Sequence, residues 1–73
     1  MKIWEYDRRT LPKVLRTYRK EHKLSQEQFA KLCGIKETMI QAYEIRREVP
    51  VLNNLVKMAQ VMDIDEIRIN PKA

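Results

Sequence analysis

The sequence predicts an all-α domain of four to five helices, and three observations lead there. Apolar residues recur at i, i+3, i+4 and i+7 through most of the chain. One glycine and three prolines in 73 residues are too few for a loop-rich or disordered chain. That single glycine, Gly34, stands where one helical pattern ends and the next begins.

The elements follow in order. Leu11, Val14, Leu15 and Tyr18 share one face of a first helix over residues 12–22, with Pro12 in the first turn, where its missing N–H costs nothing. Lys13, Arg16, Thr17 and Lys20 take the opposite, solvated face. The second helix has the clearest start. Ser25 is placed to cap it, Gln28 three residues on completes a capping box, and Leu24 and Phe29 are spaced for a hydrophobic staple. It runs to Cys33, and Gly34 supplies the left-handed residue that stops it.

A third helix spans residues 36–45, with Ile35, Ile40 and Tyr43 facing inward and Lys36, Glu37, Thr38, Gln41 and Ala42 left without an apolar partner. Arg46, Arg47, Glu48 and Pro50 break the pattern. The fourth helix, residues 52–62, is expected to bury Leu52, Leu55, Val56, Ala59 and Met62. The ends admit two readings. Asp65–Ile67 forms a helical turn before an extended tail, or the β-forming Ile3, Trp4 and Tyr6 pair with Ile67–Ile69 as a small sheet. The expected division is an extended segment at 1–10, a helical domain at 11–67 and a tail at 68–73.

Size and composition exclude several functions. A chain this short buries only roughly 60% of the surface its unfolded form exposes, which leaves no room for an enclosed substrate cavity beside a core. No carboxylate pair, nucleophile–base set or phosphate-cradling glycine loop is present, so an enzyme is not expected. Cys33 and His22 are the only residues of their kinds and cannot build a disulfide or a zinc site within one chain, so neither metal nor cofactor is expected. Cys33 reads as a small core residue and His22 as a surface one. No apolar run could span a membrane, and Glu5 and Asp7 interrupt any signal sequence, which points to the cytoplasm.

The net charge is +5, and it is uneven: residues 1–23 hold eight Lys and Arg against three acids, while the rest of the chain is balanced. A basic balance suits a polyanionic partner such as nucleic acid. The arrangement of the middle is more specific. Two helices joined through Cys33-Gly34-Ile35 cross steeply, bury one face and leave the second helix projecting, able to enter the major groove.

Here the sequence resembles the lambda-repressor/Cro-like (XRE-type) helix-turn-helix family. Residues Leu24 to Ile35, LSQEQFAKLCGI, are similar to the family's LSQEELAKKLGV. Met39 to Glu44, MIQAYE, resembles its TISRIE or TISRYE; Arg46, Arg47 and Pro50 fall at its basic turn and proline, and LVKMA at residues 55–59 resembles LLKLA. The likeness covers residues 11–67. There are departures: Lys23 stands in place of a glycine, Lys36 in place of a small capping residue, Met39 in place of Ser or Thr, and Ile45-Arg46 in place of Asn-Gly.

The resemblance implies a compact lambda-repressor-like fold and a set of roles. Gln26 would bond a DNA phosphate and brace the recognition helix. Glu37, Thr38, Gln41 and Ala42 would face the bases, while Lys36, Arg46 and Arg47 would meet the backbone. Arg19 and Glu44 would form the family's partly buried ion pair. The chemistry suits these places: Gln41 can pair bidentately with adenine, Glu37 can accept from cytosine or deter non-specific binding, and Thr38 or Ala42 can meet a thymine methyl.

The expected function is sequence-specific binding to double-stranded DNA and transcriptional regulation by repression. One domain reads few base pairs, so a homodimer on a pseudo-palindrome is expected, its surface sought in the fourth helix and the terminal segments with Trp4, Ile67 and Ile69. The alternative is an antitoxin or interaction module with a protein partner, a toxin or an anti-repressor, that also binds its own operator.

Overall fold

The computed structural model describes residues 1–69, in the order β1 (Ile3–Tyr6), α1 (Leu11–Glu21), α2 (Gln26–Cys33), α3 (Glu37–Glu44), α4 (Leu52–Val61) and β2 (Glu66–Ile69). The capping box of α2 is complete. Gln28 N–H donates to Ser25 Oγ at 3.0 Å and Ser25 N–H to Gln28 Oε1 at 2.8 Å. Leu24 packs on the core at the entry to the helix, as a staple requires.

All four helices end in the same way. A residue with positive φ follows the last turn: Lys23 at +54°, Gly34 at +70°, Arg46 at +62° and Asp63 at +57°. The next N–H then reaches back five residues. Leu24 donates to Arg19 O at 2.8 Å, Ile35 to Ala30 O at 3.0 Å, Arg47 to Ala42 O at 2.9 Å and Ile64 to Ala59 O at 2.9 Å. These are Schellman caps, which satisfy carbonyls that the helix leaves open. Such a cap usually closes with an apolar contact from the residue after the left-handed one. Leu24, Ile35 and Ile64 make it, packing on the core.

That core is built around Tyr43, Phe29, Leu11, Leu15, Ile40 and Met58. The termini belong to the same body. β1 and β2 form a parallel pair in the register Trp4↔Ile67 and Tyr6↔Ile69. Asp65 N–H donates to Lys2 O at 2.8 Å and Asp65 Oδ2 accepts from Lys2 N–H at 2.7 Å, locking the strands at their start. Lys2 Nζ donates to Met62 O at 3.0 Å, placing a cation at the C-terminal end of α4.

Three expectations need correction and one, on Trp4, is narrowed. Residues Asp65–Ile67 make no helical turn, because backbone pairing with β1 takes up the chain from Glu66. Arg68 and Ile69, expected in a tail, are strand residues; residues 70–73 lie outside the described residues. Trp4, open to reading as a packing anchor or a dimer contact, is only 7% exposed and packs edge-on to Tyr6, with centroids 5.6 Å apart, so it is the packing anchor. In α4 the buried face is Leu55, Met58 and Ala59, continued by Met62, while Leu52 is 64% exposed and Val56 is exposed with it. Both apolar rows have helical spacing, and packing against α2 selects the one that contains Met58.

Candidate nucleic-acid interface

Glu44, the last residue of α3, is the buried charged group of the fold at 3% exposure. Arg19 meets it bidentately with one edge of the guanidinium, Nε to Oε2 at 2.6 Å and Nη2 to Oε1 at 2.7 Å. A third donor of the same side chain, Nη1, reaches Leu24 O at 3.1 Å. These bonds to Glu44 raise the Arg19 pKa further, so its charge is permanent. Two neighbours complete the network. Gln26 Nε2 donates to Glu44 Oε1 at 3.2 Å, and Arg16 Nη1 donates to Glu44 O at 2.8 Å. The start of α2, two turns of α1 and the end of α3 are thus tied at one residue, Glu44, through its carboxylate and its main-chain carbonyl.

This fixes how α3 stands relative to α2. Thr38 and Gln41 are exposed on its outer face, and Glu37 beside them is half-buried. Gln41 Nε2 donates to Glu37 Oε2 at 3.1 Å, one helical turn apart, so these two side chains form a joined polar surface. Lys36, extended at φ −64° and ψ 140°, precedes the helix without a side-chain cap. Its ammonium is exposed at the N-terminal end of α3.

Ala42 does not share that surface. It is 9% exposed, in the turn where its carbonyl accepts from Arg47 and Glu48. Of the four residues expected to face the bases it presents the least surface in this geometry. Gln26 is half-buried, and one of its two amide hydrogens serves Glu44. It braces α3, and its second amide hydrogen has no partner among the described residues.

Arg46 and Arg47 stand where the cap of α3 breaks its own rule. The left-handed position holds Arg46, a non-glycine as in the caps of α1 and α4, and the closing position holds an exposed arginine, Arg47, where the other three caps have an apolar residue. Neither side chain has a carboxylate partner among the described residues. Local rules that are broken without structural gain mark functional positions. Arg46→Gly should therefore raise stability by about 0.5–1 kcal/mol, seen as a higher melting temperature. The same change should lower affinity for duplex DNA and flatten its salt dependence.

The remaining titratable groups have structural roles. Burial pushes the Cys33 thiol up to about 11, which keeps it protonated and unreactive. His22 stacks on Tyr18 with centroids 4.0 Å apart, and Tyr18 Oη donates to Val61 O at 3.0 Å. No helix among the described residues is long and apolar enough to cross a membrane.

Two packed helices joined by a tight turn, braced by a buried ion pair and presenting a polar helix face flanked by free arginines, define a helix-turn-helix DNA-binding module. The sequence profile of the helix-turn-helix family matches residues 15–69. The chain belongs to this family, in its XRE type, a family of DNA-binding regulator domains. Among individual proteins, it is 40% identical over 50 residues to an uncharacterized HTH-type transcriptional regulator, YobD, of Bacillus subtilis (strain 168). The match takes in 68% of this chain and 45% of that protein, so the chain spans less than half of its relative's length.

Proposed function

We propose that the chain is a sequence-specific duplex-DNA-binding transcription regulator that acts in the cytoplasm as a repressor, by occupying its operator. The observation that carries this reading is the cap of α3, where an exposed arginine, Arg47, takes the closing position that is apolar in the other three caps, next to the unpaired Arg46. α3 enters the major groove. Glu37, Thr38 and Gln41 meet base edges there, while Lys36, Arg46, Arg47 and the free amide hydrogen of Gln26 meet phosphates.

The active form is a homodimer on a pseudo-palindrome. Ile45, Val49, Val51, Leu52 and Val56 are all exposed, around the α3–α4 connection and the outer side of α4. Scattered surface apolar residues need no explanation, but five in one stretch of chain favour a partner surface. The molecule measures 30 × 29 × 20 Å. Two copies side by side thus carry their α3 helices at a separation of the order of the about 34 Å between half-sites one helical turn apart.

Selection of bound sequences from a random duplex pool tests both parts. The expected result is an enriched motif with two inverted halves about 10 base pairs apart, centre to centre. A single unrepeated half-site would remove the dimer, and no enrichment above the input pool would remove sequence-specific binding.

A further inference from the structure

A surface cavity of about 260 Å³ lies between the β1–α1 turn and the α3–α4 connection, lined by Arg8, Arg9, Arg46, Glu48 and Val49. Three of these five are arginines, and they come from segments nearly forty positions apart in sequence. Their states differ. Arg9 is held by Asp7, with Nε 3.1 Å from Oδ1 and Nη2 2.7 Å from Oδ2. That grip lowers the Asp7 pKa to about 2, so the carboxylate stays ionised at neutral pH. Arg8 and Arg46 have no carboxylate partner and no side-chain hydrogen bond among the described residues.

The turn that presents Arg8 is well ordered by its own bonds. Asp7 O accepts from Thr10 N–H and Leu11 N–H, both at 3.0 Å, and Asp7 Oδ1 accepts from Arg9 N–H at 2.8 Å. Tyr6, immediately before it, is buried in the core. Arg8 is therefore an exposed cation on a rigid base, facing the same cavity as the arginine that closes α3.

The geometry points to this cavity as a seat for one phosphodiester of the bound duplex, held between the guanidinium groups of Arg8 and Arg46. The inference rests on the DNA-binding reading and extends the interface to the N-terminal turn, which lies outside the helix-turn-helix unit. Two planar, multi-donor guanidinium groups can grip one phosphate from two sides. Glu48 at the rim opposes simple anion accumulation, so the seat favours a phosphate delivered by a docked duplex. The contact carries no sequence information and fixes how the domain sits on the backbone.

The test uses the full chain with Arg8→Gln and Arg8→Lys, measuring binding to a selected duplex and to a random one by fluorescence anisotropy across a salt series. Arg8→Gln should weaken both duplexes equally, by about tenfold at low salt, and reduce the slope of log K against log salt by up to about 0.9. Arg8→Lys should recover the slope and part of the affinity. Melting temperature should stay at the wild-type value, since Arg8 makes no bond in the fold. Unchanged binding by Arg8→Gln, beside a wild-type chain that binds with a steep slope, would overturn this inference and leave the DNA reading intact. A loss confined to the selected duplex would overturn it too, by making Arg8 a base reader. A wild-type chain with no duplex affinity would overturn both.

Discussion

Arg19→Met should lower the melting temperature by on the order of 15 °C, followed by circular dichroism at neutral pH. The variant leaves the carboxylate of Glu44 at 3% exposure with its two strongest hydrogen bonds gone. Removing one partner of a buried pair costs about 3–5 kcal/mol, because the other charge stays desolvated and uncompensated. A domain of this size loses about 4–8 °C per kcal/mol. Gln26 still donates to Glu44, which places the expected loss at the lower end of that range. The double variant Arg19→Met with Glu44→Met should recover most of the loss, since apolar side chains of similar volume need no partner there. A single variant that melts with the wild type would show that the network is dispensable for folding.

Gln41→Ala should weaken binding to the selected operator by about 10- to 100-fold while leaving random duplex nearly unaffected, as a bidentate base contact is worth about 1–3 kcal/mol of discrimination. In the free protein the Gln41 amide already donates to Glu37 Oε2 at 3.1 Å. On the proposed reading the two residues act together in a base contact, with Gln41 oriented by the Glu37 carboxylate one turn away. Glu37→Gln should then relax sequence preference and raise affinity for random duplex, since it removes a negative charge facing the phosphates. Equal losses on both duplexes from Gln41→Ala would take Gln41 out of base reading and leave it a backbone contact.

The legible part of this protein is local. Ser25 and Gln28 specify a helix start through two reciprocal bonds that need nothing beyond four consecutive residues. Gly34 specifies a stop because it meets φ +70° without a side chain. The three other stops were harder to read, since Lys23, Arg46 and Asp63 adopt the same left-handed conformation without being glycine. Their signal lies in the apolar residue that follows, Leu24 or Ile64, and it is missing after Arg46.

In the interface, exposure of Lys36, Thr38, Gln41, Arg46 and Arg47 follows from the polar side of a helix whose apolar residues are Ile40 and Tyr43. Ala42 was not legible in that way. A small side chain carries no hydropathy signal strong enough to place it, and its main-chain carbonyl is taken up by the turn through hydrogen bonds from Arg47 and Glu48. Arg8 could not be read from spacing at all, because its neighbour Arg46 comes from the other end of the helical core.

The sequence by itself therefore determined the four helices, the capped ends of α2 and the polar face of α3, since each depends on residues within a turn or two of one another. Tertiary structure alone decided which of two apolar rows of α4 is buried, that the termini pair as parallel strands, and that Arg8 stands beside Arg46. Periodicity marks a stripe but not its partner, and strand pairing over some sixty residues depends on where the intervening helices leave the two ends. The clustering of like charges is decided the same way, by chain segments that meet only once the core has formed.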